Sequence, residues 1–171
     1  FTILGGVVMG IKLVRFQKGD LIQWGVLEDE LYVINGSYRT LRDILTTGME
    51  DVVTAKQTGQ IVNQSDITIL SPVTNDANIY CQGTNYSAHR VEAGFSKQKP
   101  PYNLLFTKAS STLTSATADI VCPAHVRLLD YEIELGIIMK QDVTEASEVT
   151  NGNLKDYIAG LVITNDISAR D

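Results

Sequence analysis

Apolar and polar positions change their rhythm several times along the chain. From 11 to 16 apolar and basic residues alternate, the period of a half-buried strand. Leu21–Leu27 and 30–34, on either side of Glu28-Asp29, read as a hairpin, and Asn35-Gly36 marks the next turn. The period then lengthens. Leu41, Ile44, Leu45, Met49, Val52 and Val53 follow helical spacing, and Gly48 predicts a break between two short helices. A short strand is expected over 67–70, ended by Ser71-Pro72. Residues 9–70 therefore read as a small β-rich subdomain with one helical excursion.

From Ile79 the texture differs. Short apolar runs at 79–81 and 104–107 predict strands. Between them, 83–94 is polar and suits a loop with one helical turn, and Pro100-Pro101 makes a stop. Residues 110–118 are rich in Ser and Thr and read as a surface loop. The two strongest strand candidates are 128–139 and 157–167, joined by a polar loop over 141–153. The expected fold class is α+β and β-rich, with residues 71–171 as the first part of a second domain.

Composition narrows the function classes. With 171 residues and 44% hydrophobic content, the chain can bury a core. A formal charge of -6 without a basic cluster argues against a non-specific nucleic-acid binder. No apolar run is long enough for a membrane-spanning helix. The apolar segment 1–8 precedes Met9 and is expected to be either a leader or a first strand. With no targeting segment legible, a cytoplasmic setting is expected. Cys81 and Cys122 are expected to be small buried side chains in a reducing compartment, with a bridge between them as the minority reading.

The chemistry gathers in three places. Glu132 and Glu134 stand two apart in Asp130-Tyr131-Glu132-Ile133-Glu134-Leu135-Gly136. On a strand they share a face, with Cα atoms roughly 6.6–6.8 Å apart, and Tyr131, Ile133 and Leu135 are expected to pack on the other. A bare Glu-x-Glu is most often the solvated face of an edge strand. Here the run continues as Leu135-Gly136-Ile137-Ile138-Met139, apolar on both faces, which predicts a buried strand. Like charges on a buried face need a positive partner, and carboxylate oxygens suit a hard divalent cation. Asp166 repeats the pattern at the end of the apolar run 159–167, although an Asp there also suits a turn or cap, and Arg170-Asp171 suits a surface ion pair. His89 and Glu92 are neighbours on a helical turn, where the carboxylate would orient the imidazole as a general base, or simply form a surface pair. His125 reads as a loop residue.

Four segments together resemble the fumarylacetoacetate hydrolase family. They run from Ile79-Tyr80-Cys81-Gln82-Gly83-Thr84-Asn85-Tyr86 through Ser87-Ala88-His89-Arg90-Val91-Glu92, then Leu105-Phe106-Thr107-Lys108, then 130–136, then 157–171 with Asn165-Asp166-Ile167-Ser168-Ala169-Arg170-Asp171. Their order and spacing carry the resemblance over 71–171 and, more loosely, over 9–70. It implies a mixed β-roll of which this chain holds an incomplete part, since the family domain runs on past the Ser-Ala-Arg-Asp segment. It implies Glu132, Glu134 and Asp166 as ligands of Mg²⁺, or Mn²⁺ or Ca²⁺, His89 and Glu92 as a catalytic dyad on a lid, and Lys108, Arg170 and Tyr86 as substrate-binding residues. A fourth carboxylate ligand of fumarylacetoacetate hydrolase falls on Gln82, a departure that argues against fumarylacetoacetate as substrate and toward the bacterial branch. The resemblance implies a metal-dependent hydrolase of C–C bonds in acylpyruvate-like oxo-acids. Decarboxylation of oxaloacetate, isomerisation of hydroxymuconate-type diacids and a non-catalytic paralogue or fragment are the alternatives. A homodimer is expected for the full-length protein.

Overall fold

The strand and hairpin expected over 11–34 form in a computed structural model of the protein, which describes residues 10–171 together with Ile3–Leu4 (β1) and Val7–Val8 (β2). β1 and β2 pair antiparallel; the rest of segment 1–8, and with it the choice between leader and strand, lies outside the described residues. Lys12–Lys18 (β3), Leu21–Leu27 (β4) and Leu31–Val33 (β5) form an antiparallel meander, and Ile61–Val62 (β6) and Thr68–Leu70 (β7) complete a five-stranded sheet ordered β6-β5-β4-β3-β7.

Helical spacing also becomes helix. Leu41–Thr47 (α1) starts on a capping box: the Thr40 hydroxyl accepts from the Asp43 N–H at 3.1 Å, and the Asp43 carboxylate accepts from the Thr40 N–H at 2.9 Å. Gly48 ends α1, donating its N–H to the Ile44 carbonyl, and opens Met49–Thr58 (α2). Side chains from both helices meet one face of the sheet, where Ile44, Val52 and Ala55 pack with Trp24, Val26, Tyr32 and Ile34. A second cluster forms around Phe16, Leu31, Val33 and Val62. Gly25 makes that cluster possible, because a Cβ there would lie 2.8 Å from Leu31 Cδ1 and 3.0 Å from the Tyr32 carbonyl oxygen. All the buried hydrophobic residues of the described chain lie within 16–62.

Beyond residue 70 the strands pair in twos. Ile79–Gly83 (β8) pairs with Leu104–Lys108 (β9), and between them Ser87–Glu92 (α3) supplies the expected helical turn. The expected strand over 128–139 divides at Tyr131-Glu132 into Leu129–Asp130 (β10) and Ile133–Met139 (β11). The expected strand over 157–167 is Ile158–Asn165 (β12), preceded by a helical turn, Leu154–Tyr157 (α4), and followed by Ser168–Ala169 (β13). β11 pairs antiparallel with β12, and β10 with β13, so the two segments run as one interrupted ribbon.

Two expectations of burial fail. Tyr131, Ile133 and Leu135, expected in apolar packing, are 72%, 73% and 52% exposed. No element of the described chain covers that face of the ribbon, and β11 hydrogen-bonds to β12 alone. The apolar run 135–139 is thus exposed on alternate residues rather than buried on both faces. Neither cysteine is buried: Cys81 is partly covered, Cys122 is exposed, and both are free thiols. Cys81 lies on β8, and Cys122 lies outside the strands beside Pro123.

Candidate functional site

The carboxylates owe their grouping to strand alternation. In the β11–β12 pairing Glu134 stands opposite Thr164, and the Asp166 N–H donates to the Glu132 carbonyl at 2.7 Å. Residues opposite one another on an antiparallel pair share a face. Glu132, Glu134 and Asp166 therefore lie on one face of the ribbon, opposite the exposed apolar one. Asn165 secures the break before β11, its side-chain oxygen accepting from the Glu132 N–H at 3.1 Å. The Glu132 and Asp166 side chains are only 20% and 16% exposed.

Each of these two carboxylates meets a cation. Lys108, at the end of β9, pairs with Asp166 and so joins β9 to the end of β12. Arg170 donates to Glu132 at 2.5 Å and, through Nη2 and Nε, to Asp130 at 3.0 and 3.1 Å. Ser168 adds a hydroxyl bond to Glu132 at 2.9 Å. Burial would raise the Glu132 carboxyl, but the bonds from Ser168 and Arg170, with the charges of Arg170 and His89, outweigh it and hold the group below its ordinary value. The Arg170 guanidinium is pushed up by its bonds to Glu132 and Asp130.

His89 arrives from α3. Its Nε2 lies 3.5 Å from Glu132 Oε1, whereas its Nδ1 lies 4.0 Å from Glu92 Oε2. The i, i+3 spacing makes His89 and Glu92 neighbours, but the distance exceeds a hydrogen bond and Glu92 is 82% exposed. The structure thus gathers His89, Glu132 and Arg170 into one network and sets the Lys108–Asp166 pair beside it, joined through the backbone bond from Asp166 to Glu132. Glu134 shares the face without an ion pair in that network, and Tyr86, half exposed at the start of α3, stands outside it. Gln82, on β8, donates to Asn103 at 2.9 Å. Asp171 accepts from the N–H groups of Arg127 and Leu128 rather than pairing with Arg170. Asp130, Ser168, Asn165 and Arg90 take part here without a role expected from the sequence. Asp130 and Ser168 could have been found there, since both sit two residues from a candidate ligand.

The donor set suits a hard divalent cation in kind, being three carboxylates and no thiol on one face. The demand for positive charge is visible, since Lys108 and Arg170 supply it to Asp166 and Glu132. Among the described residues, however, no three His, Cys, Asp or Glu side chains close around a common point. Also among the described residues, no helix is long and apolar enough to cross a membrane.

Comparison with known proteins agrees with the motifs. The family model described as fumarylacetoacetate (FAA) hydrolase C-terminal matches residues 78–171, more than half of the chain. The chain is 28% identical over 135 residues to "Oxaloacetate tautomerase fahd2, mitochondrial" of Xenopus laevis, covering 77% of this chain and 41% of that protein. It is 36% identical over 126 residues to an uncharacterised protein of Staphylococcus saprophyticus, covering 70% of this chain and 39% of that one. Among solved structures, fumarylacetoacetate hydrolase from psychrophilic Exiguobacterium antarcticum superimposes with a TM-score of 0.73 at 28% identity, over 95% of this chain and 57% of that chain. A 2-hydroxyhepta-2,4-diene-1,7-dioate isomerase from Mycobacterium marinum shares the fold, with a TM-score of 0.66 at 21% identity, over 95% of this chain and 56% of that chain. The chain spans under half the length of these sequence relatives and somewhat over half of the solved ones. Its ordered motifs, its sheet-rich α+β fold and the match over 78–171 place it in the fumarylacetoacetate hydrolase family.

Proposed function

We propose that this chain carries the acid–base and metal-binding residues of an enzyme that acts on small 2-oxo acids through their enol form. The observation that supports it is the meeting of one imidazole, two paired cations and the carboxylate face at the junction of α3, β9 and the ribbon. Glu132, Glu134 and Asp166 would hold Mg²⁺, Mn²⁺ or Ca²⁺. When bound, such an ion supplies Lewis acidity to a 2-oxo acid and stabilises negative charge on its oxygen atoms. Lys108 and Arg170 would receive a substrate carboxylate, Arg170 by a two-pronged contact. Tyr86 is proposed beside them.

The finer reading is cleavage of a C–C bond in an acylpyruvate-like diketo acid. His89 Nε2, with Glu92 drawn in to orient the ring, would take a proton from water, and the hydroxide equivalent adds to the distal carbonyl. The C–C bond then breaks, its electron pair leaving as the enolate of the 2-oxo acid. A second reading rests on a particular observation, the 4.0 Å gap between His89 and Glu92. A base not held by a dyad can still move a proton between carbon and oxygen. That is all that tautomerising oxaloacetate or shifting a double bond in a hydroxymuconate-type diacid requires, and several sequence relatives bear the name oxaloacetate tautomerase.

The test is a panel of acylpyruvates, oxaloacetate and hydroxymuconate-type diacids, assayed with Mg²⁺ or Mn²⁺ by loss or gain of enol absorbance. Turnover of at least one, abolished in His89→Ala, is expected. Turnover unchanged in His89→Ala would overturn the acid–base assignment.

A further inference from the structure

α3 is too short to hold its own orientation. It has six residues, and Tyr86, at its N-cap, offers no side-chain bond to the free N–H groups of the first turn. An isolated helix of this length is unstable in water. Something outside the helix must therefore decide where His89 points.

We propose that Arg90 is that positioning residue, and that its guanidinium sets His89 against the carboxylate face; the inference rests on His89 being the acid–base group. Arg90 is 8% exposed, one of two buried polar or charged residues among those described. Nε donates to the Ser96 carbonyl at 3.0 Å, Nη1 to the Thr84 hydroxyl at 3.2 Å, and Nη2 to the Gln98 carbonyl at 3.2 Å. The guanidinium carbon lies 5.9 Å from the centre of the Phe95 ring, and the Phe95 N–H returns a bond to the Arg90 carbonyl at 2.8 Å. One side chain thereby ties the turn between β8 and α3 to the loop after the helix.

Three physical points make this more than packing. First, these acceptors are two carbonyls and a hydroxyl. A buried cation balanced only by neutral oxygens gains less than one in an ion pair, so its place here needs a return elsewhere. Second, Thr84 has φ 49, the one positive φ at a non-glycine residue among those described. Such a conformation persists when its surroundings impose it, and the Arg90 bond to its hydroxyl is such a restraint. Third, successive side chains on a helix point about 100° apart. With Arg90 fixed inside the loop, His89 is turned outward, where Nε2 comes within 3.5 Å of Glu132. The planar five-donor fork of arginine can meet three diverging acceptors at once, whereas a lysine ammonium would have to choose among them.

The experiment compares Arg90→Lys, Arg90→Met and Arg90→Ala with the parent protein. Trp24, the single tryptophan, lies in the core of the five-stranded sheet, so its fluorescence melt reports whether that sheet folds in each variant. The chain has two histidines, and His89→Ala assigns their imidazole NMR resonances. In Arg90→Lys and Arg90→Met the His89 resonance should move toward that of a free histidine while His125 stays in place. Turnover of whichever panel substrate proves active should fall about 10–100-fold in kcat with KM little changed, the loss expected when a reacting group is misplaced by an ångström or so. Methylguanidinium should restore part of the kcat of Arg90→Ala. If Arg90→Met fails to fold, Arg90→Lys and the rescue of Arg90→Ala decide the matter. An unmoved His89 resonance in Arg90→Lys overturns the proposal, as does a kcat loss that methylguanidinium cannot reduce. Should His89→Ala leave activity intact, the function proposed above fails, yet the resonances still report on Arg90.

Discussion

His89 stands nearer to Glu132 than to Glu92: Nε2 lies 3.5 Å from the former carboxylate and Nδ1 lies 4.0 Å from the latter. The charge that most directly faces the imidazole thus belongs to a proposed metal ligand rather than to the expected dyad partner. His89→Ala should lower kcat by about 10²–10⁴, the usual contribution of a positioned acid–base group. Glu92→Gln should cost less, because its carboxylate is 82% exposed and makes no hydrogen bond to the ring. Steady-state kinetics on both variants would check the ordering. Equal losses would show that Glu92 closes onto His89 during turnover, as the cleavage reading requires, whereas the smaller loss favours the proton-transfer reading.

Metal binding should be readable as stability. A ligand that binds only the folded state at 100 times its Kd stabilises by about 2.7 kcal/mol. Mg²⁺ or Mn²⁺ should therefore raise Tm, and Glu134→Gln and Asp166→Asn should each shrink the rise. The Asp166 variant should also melt lower without metal, because Lys108 loses its partner at a site where both side chains are mostly covered. Thermal melts with and without each ion would show both effects. A full rise in both variants would remove these residues from the ligand set.

Acid should unfold the N-terminal sheet partly through Asp43. Backbone bonds from Thr40 hold its carboxyl below the ordinary aspartate value; burial opposes them, and the bond from the Arg39 N–H and the Thr40 side chain add to the lowering. The unfolded chain therefore takes up this proton first as pH falls. The stabilisation is complete above the unfolded aspartate value and disappears as pH drops through the lower folded value. Asp43→Asn should flatten the fall of Tm over that window, measured by Trp24 fluorescence. Thr40→Ala, which removes the other half of the capping box, should cost about 1 kcal/mol at neutral pH.

The N-terminal elements were legible because local rules agree there. The strand over 21–27, the Asn35-Gly36 turn and the Gly48 break all reappear, since each is decided by a few neighbouring residues. The shared face of Glu132 and Glu134 was legible for the same reason, the two-residue period of a strand. What the residues could not announce was what lies over each face. Periodicity says that Ile133, Leu135 and Ile137 share a side, but not whether another element covers it. The break at Tyr131-Glu132 depends on an Asn165 side chain more than thirty positions away. Arg90 carried no signal at all, because a buried guanidinium satisfied by carbonyls leaves no charge pair to find in the sequence.

That uncovered face yields the last expectation. Leu135 stands opposite Ile163, and Ile137 opposite Leu161, all at least half exposed. Contiguous apolar surface of this kind binds hydrophobic dyes and promotes association. Two cross-strand pairs on one side of a two-stranded ribbon also hold its register, since a one-residue slip would move them to the carboxylate side. Ile137→Lys should therefore reduce dye fluorescence and concentration-dependent light scattering. It should leave the Trp24-monitored melt unchanged, because Trp24 packs in the N-terminal core. A paired change, Ile137→Thr with Leu161→Thr, lowers the hydrophobicity and sets two β-branched side chains opposite one another. It should reduce dye binding and preserve the metal-induced rise in Tm. Loss of that rise in the paired variant alone would mean that the apolar side of the ribbon sets the spacing of the carboxylates on the other.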